Sequence, residues 1–335
     1  MRTPNRLLRV AGALVLLVLN AFSLPGCSPQ PAGDATTPGP DSGDAELVLY
    51  TSLSHESVIA IAEAWREESG VTVSFLIDDA ETLIDKMVTK AHYPGADLLL
   101  VTDSVSISQA VDQDVLRPLQ TSLPSTARAD LPRDPDGYWQ AVGTSADLIV
   151  ARDTIELPET YADLGKPRYK DTLCLRRGSD RRSIALVAGI TDRLGGRDSE
   201  LAVRGWRFNL ATTVFDNEPD LLAAIFSAAC GIGIVDSRTV AAVSSLPSGI
   251  AVGLPTDMTA GVHVHPLAAG VSRHARDPET AARFISWLLS PQGQAVLEAS
   301  GAAPRAGVAS AHMRETLPYY LYEDAELLIE RARYR

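Results

Sequence analysis

Apolar residues recur along this chain with two different periods. Short runs of branched or bulky residues, Leu47–Tyr50, Val71–Phe75, Ala96–Val101 and Ile232–Val235, read as buried strands. Elsewhere apolar positions return at helical spacing: Val58, Ala62 and Trp65 ahead of a capping Gly70, and Leu83, Ile84, Met87 and Val88 behind Asp79. The same spacing holds for Ile184, Val187 and Ile190, and for Ala281, Phe284, Ile285 and Leu288 behind Asp277-Pro278. Further helices are expected over 201–210, 218–229 and 317–334, with Asn217 or Asp216 capping the second. Strand, helix and strand in succession predict βαβ units and an α/β protein. Tyr138–Val142 and Leu148–Val150 read as separate strands. Between them, Gly143–Asp147 is expected to carry the chain from one lobe to another, and Ile250–Leu254 to begin its return.

The N-terminal pattern is of another kind. Arg2, Arg6 and Arg9 precede an apolar stretch from Val10 to Phe22, followed by Leu24-Pro25-Gly26-Cys27. These features resemble the signal and lipobox of a bacterial lipoprotein, so 1–26 is expected to be removed and Cys27 to carry a lipid. The apolar stretch is short for a membrane span. Residues 27–45, rich in Pro, Gly, Ser, Thr and Asp, read as a flexible tether. The chain of 335 residues has a formal charge of −12, and losing three Arg with the signal takes it to −15. So acidic a body argues against a nucleic-acid partner. What remains, about 290 residues, is long enough for two lobes.

Ligands of open parallel sheets sit beyond the carboxyl ends of strands, where helix N-termini offer free N–H groups. Two turns occupy such places: Thr51–His55, and Thr102-Asp103-Ser104. Asp103 serves equally well as an N-cap. The run Arg176-Arg177-Gly178-Ser179-Asp180-Arg181-Arg182 puts four Arg at a helix entrance, against the helix dipole. A ligand or neighbouring acids must offset them. His263 and His265 share one face of an extended segment, but no third metal ligand is evident, so a structural role and no metal or cofactor are expected. The spacing of Cys174 and Cys230 leaves a disulfide open. Gly143–Asp147 lacks the last Gly of a GxSxG elbow, and the chain has neither a GxxxxGK[ST] loop nor an HExxH helix, so an enzyme is not expected.

Taken in order, LVLYTSLSHE, GADLLLVTDS, DPDGYW, TYADLGKPRYKDTLCLR, CGIGIVDS, GVHVHPLAAGV and FISWLLSPQGQ resemble the ferric-ion-binding solute receptors of bacterial ABC importers. The likeness covers nearly the whole mature chain. It implies an α/β, two-lobed periplasmic-binding-protein fold of type II, a clamshell with two interlobe crossings. Lobe 1 would comprise 46–143 and 252–280, and lobe 2 would comprise 144–251 and 281–335. It also implies a monomeric receptor in the cell envelope, held at a membrane by the lipid on Cys27 and serving an ABC permease and its ATPase. A receptor that presents its solute to a sensor instead would share this fold.

Ferric receptors of this type grip iron with tyrosine oxygens, and those positions differ here. The family's Tyr-Tyr pair falls at Arg238 and Thr239, another Tyr aligns with Arg182, and a further one with Ala151. His55 matches the family's histidine ligand, offset by one residue. A guanidinium fork suits carboxylate, phosphate or phosphonate rather than bare Fe³⁺. The expected ligand-binding residues are Thr51, Ser52, Ser54, His55, Asp103, Ser145, Arg182, Arg238 and Thr239. The expected solute is an anion or a metal on an anionic chelator. Iron held by other donors is the alternative, and an arginine–acid latch between lobes is the structural explanation of the same residues.

Overall fold

The computed structural model describes residues 46–89, 95–119, 131–255, 262–303 and 317–334. The expected signal, Cys27 and the expected tether lie outside them. β1 (Glu46–Thr51) is buried from Leu47 onward and leads into α1 (His55–Ser69). Ser54 caps that helix by accepting from the Ser57 N–H, and Gly70 ends it at φ 72°, a left-handed conformation that favours glycine. β2 (Thr72–Ile77) lies parallel to β1, α2 (Ala80–Thr89) follows, and β3 (Leu98–Val101) pairs parallel on the other side of β1. α3 (Ser104–Asp112) closes this first unit.

The two strands expected around Gly143 are one. β4 (Gln140–Arg152) runs unbroken through the expected crossing. Its first half, Gln140–Ala146, pairs antiparallel with β8 (Val264–Val271). Its second half, from Asp147, pairs with β6 (Ile232–Asp236) and β7 (Ile250–Gly253). A strand needs no break to change neighbours; the pairing with β8 is interrupted only by a register shift between Ala141 and Gly143, where the Val142 carbonyl accepts from the Gln294 side chain instead. After β4 come two 3₁₀ turns, Tyr161–Gly165 and Pro167–Tyr169, and then β5 (Leu173–Cys174), which is parallel to β6. α4 (Arg181–Leu194), α5 (Gly196–Asn209) and α6 (Glu218–Phe226) separate β5 from β6, and α7 (Ser237–Ala241) follows β6. Of the two candidate caps for α6, Asn217 is the one that accepts from the Asp220 N–H. The main sheet path is β2-β1-β3-β8-β4-β6-β5, with β7 on β4.

Two large apolar cores flank this path. The first includes Leu49, Ile61, Leu83, Leu99 and Trp139, and the second Ile149, Leu173, Val187 and Trp206. A smaller one surrounds Cys174 and Cys230, which form a disulfide. α8 (Pro278–Leu288) and α9 (Pro291–Ala299) correct the expected lobe boundary. Ala281, Phe284, Ile285 and Leu288 bury in the first core, where Phe284 meets Trp65 edge-on at 5.3 Å. Among the described residues beyond α9, α10 (Tyr319–Ala332), through Tyr322, Leu328 and Ile329, and the flanking Leu317 and Tyr334 join the second. The chain therefore meets the second core again at its C-terminal end, beyond the two crossings expected. Among the described residues no helix is long and apolar enough to cross a membrane.

Candidate functional site

The carboxyl ends of β1 and β3 stand side by side: the Ser52 and Thr102 hydroxyls are 3.5 Å apart. Thr51 is buried, and its Oγ1 accepts from the Leu53 N–H at 3.2 Å, which shapes the turn without exposing the hydroxyl. Asp103 is the N-cap of α3, with one carboxylate oxygen accepting from the Ser106 N–H and the other from its hydroxyl. His55 is exposed and lies edge-on to Phe75, apart from the cavity described next.

Facing these turns is a cavity of about 580 Å³. Ser52, Ser54, Ser57 and Thr102 line it from the first-core side, and Arg182, Arg238 and Thr239 from the second. An adjoining cavity of about 390 Å³ is bounded by Asp103, Asp180, Arg181 and Glu218, among others. Among the described residues no tyrosine lines either cavity.

Behind the arginines is a buried ionic network that the sequence reading missed. Asp236 is fully buried; it accepts from Arg238 through Nε at 3.2 Å and a terminal nitrogen at 3.3 Å, and lies 3.4 Å from Arg182. Ser145, expected at the ligand, instead donates its hydroxyl to Asp236 at 2.7 Å and lines neither cavity. Glu218 accepts from Arg176 at 2.8 Å, from the Asp236 N–H at 3.0 Å and from the Thr239 hydroxyl at 2.5 Å. Arg176, itself buried, reaches Asp147 at 3.0 Å, and the other oxygen of Asp147 lies 3.1 Å from His265 Nε2. The network thus extends from the crossing strands β4 and β8 to the cavity wall.

In this network Arg176, Arg182 and Arg238 face Asp147, Glu218 and Asp236, and Asp180 lies 3.9 Å from Arg176. Burial alone would raise the Asp147 carboxyl, but His265 and Arg176 hold it well below the usual range. Asp236 is likewise held low by Arg238 and Arg182 against the effect of burial. Burial works against the Arg176 charge, and Asp147 and Glu218 more than restore it. The remaining arginines of the basic loop are also paired, Arg177 with Asp216 and Arg181 with Glu81. Neighbouring acids therefore account for the local run of positive charge. Arg181 of α4 reaches Glu81 of α2, on the first-core side, at 3.1 Å; the acids of Arg182 and Arg238 lie on β6 and α6. The arginine–acid pair that joins α4 to α2 is thus made by Arg181, not by Arg182 or Arg238.

The histidine pair also differs from expectation. Asp147 is a third potential ligand, with one atom from each of Asp147, His263 and His265 lying within 4.8 Å of one another. Sequence separation hid it, because β4 and β8 meet only in the sheet. Among the described residues, His263 Nε2 and His265 Nδ1 are buried without hydrogen-bond partners. Burial, reinforced by His265, pushes the His263 ring down to about 3, so it is neutral at pH 7. Arg176 already holds Asp147, and its positive charge opposes a cation at the same carboxylate.

Residues 47–302 match the family described as bacterial extracellular solute-binding protein. The chain belongs to that family. Members of this solute-binding family are receptors that bind small solutes or ions outside the cytoplasm and work with ABC permeases. Iron uptake protein A1 of Synechocystis sp. is 25% identical over 309 residues, covering 88% of this solute-binding protein and 85% of the relative. Phosphoglycerate transport regulatory protein PgtC of Salmonella typhimurium is 24% identical over 274 residues, 75% of this chain and 64% of that protein. The Trichodesmium protein IdiA (FutA), solved with iron and citrate, superposes with a TM-score of 0.76 at 21% identity, over 87% of this chain and 100% of that one. AfuA of Actinobacillus pleuropneumoniae, solved with fructose-6-phosphate, gives 0.67 at 15% identity, over 87% and 98%. The fold is that of type II periplasmic binding proteins of the ferric-binding kind, as the order of the motifs implied.

Proposed function

We propose that this solute-binding protein receives an anionic solute of phosphate, phosphonate or carboxylate type, or a metal carried by an anionic chelator. It delivers that solute to an ABC importer as a monomer tethered by the lipid on Cys27. The observation that carries this is the pair Arg182 and Arg238 on the wall of a cavity of about 580 Å³ whose described lining holds no tyrosine. Asp236 engages only part of the five donors on each guanidinium, and a buried carboxylate behind an arginine holds its fork in place for an incoming anion. Ser52, Ser54, Thr102 and Thr239 add hydroxyls to that wall. The name of PgtC and the fructose-6-phosphate of AfuA are in keeping with a phosphate-bearing solute, and the citrate of IdiA with a chelator.

A second reading, iron held by other donors, is favoured by the name of Iron uptake protein A1 and by Asp103, Asp180 and Glu218 around the smaller cavity. Thermal shift of the mature chain with Fe³⁺, ferric citrate, phosphate, phosphonates and sugar phosphates separates the two. An anion at one hundred times its Kd adds about 2.7 kcal/mol of apparent stability, and Arg182→Ala or Arg238→Ala removes it. Stabilisation by uncomplexed Fe³⁺ alone, undiminished in both variants, rejects the anion proposal.

A further inference from the structure

The cavity has a second wall that an ion does not need. α6 turns Pro219, Ala223 and Phe226 toward it, at positions i, i+4 and i+7 of one helix face, and Ala242 and Val243 continue that surface beyond α7. Leu53 stands among the lining residues on the first-core side. Pro219, Ala223 and Ala242 are exposed, and Phe226 and Val243 are half-buried, packing in part on the core around Cys174 and Cys230, so the core beneath takes up only part of this surface. Polar and charged groups come from other elements: the turns after β1 and β3 and the starts of α1, α4 and α7.

We infer that the solute carries an apolar alkyl or aryl body behind its anionic head, the head meeting Arg182 and Arg238 and the body lying against the α6 face. This rests on the anionic-solute proposal and narrows it. A volume of about 580 Å³ falls within the usual range for small organic ligands and far exceeds what a single inorganic ion fills. A polyhydroxylated body would lose its water against Pro219, Ala223 and Phe226 and find no partner there, which disfavours it. An apolar body gains from the same surface, at roughly fourfold in affinity per methylene buried.

Calorimetric titration of the mature chain tests this with methylphosphonate, butylphosphonate, phenylphosphonate, inorganic phosphate and fructose 6-phosphate. Affinity is expected to rise from methyl- to butyl- and phenylphosphonate by at least tenfold, with phosphate and fructose 6-phosphate below both. Ala223→Asn, an exposed and uncharged change, should weaken phenylphosphonate at least tenfold more than methylphosphonate. Phe226→Ala should act in the same direction. Phosphate or fructose 6-phosphate binding as tightly as phenylphosphonate overturns this inference and leaves the anionic-solute proposal standing. Equal losses for all phosphonates in Ala223→Asn also overturn it. No binding by any of the five, with stabilisation by Fe³⁺ alone, overturns both.

Discussion

Replacing Arg176 by Met tests whether the buried network, rather than the cavity surface, holds this region together. Arg176 is 5% exposed and bridges Glu218 at 2.8 Å and Asp147 at 3.0 Å, which are themselves 6% and 0% exposed. Methionine keeps much of the length and removes every donor, leaving two buried carboxylates short of their counter-charge. Breaking a buried pair by removing one partner costs about 3–5 kcal/mol. In a domain of this size that lowers the melting midpoint by roughly 6–10 °C at pH 7. The pH dependence is diagnostic. In the parent, the Asp147 carboxyl sits below its ordinary value, so its contribution is complete above about pH 4 and disappears as pH falls through the folded value. Without Arg176 the carboxyl takes up its proton at higher pH, and the neutral form no longer needs a partner. The gap between parent and variant therefore narrows from pH 7 to pH 4, as read by scanning calorimetry of both. A midpoint within about 2 °C of the parent at pH 7, or a gap that widens on acidification, refutes the network's role.

Two further outcomes are expected. The neutral His263 ring, held down to about 3 by burial, lets the unfolded chain bind more protons between pH 6.5 and 3. Stability is therefore complete above pH 6.5 and falls below it by up to about 1.4 kcal/mol per pH unit, and His263→Gln should flatten the melting profile over that window. An unchanged slope would remove His263 as its source. The Cys174–Cys230 bond spans 56 residues, so the double variant Cys174→Ala/Cys230→Ala should lose about 4 kcal/mol in urea titration by the chain-entropy relation. A loss below about 1 kcal/mol would mean that the reduced chain keeps this region as compact as the oxidised one does.

By itself the sequence determined what depends on neighbours in the chain. Branched runs and helical periods located β1, β3, β6 and most helices, because burial of one face imposes those spacings. Asp103 and Asp277, both read from the chain as caps, and Asn217, one of two candidates, cap their helices through bonds reaching three residues onward, within reach of a local reading. Arg182 and Arg238 were legible as cavity residues because they stand where a resembling family carries tyrosine. Only the tertiary structure decided which acid each arginine meets. Asp147 to His265 spans 118 positions and Arg176 to Glu218 spans 42, distances that no periodicity encodes. The same holds for the joined strand β4, for α8 and α9 on the first core, and for the apolar face of α6 across from the β1 turn. Those depend on which surfaces meet after the strands pair, and burial in the assembled sheet is what fixes the charges there.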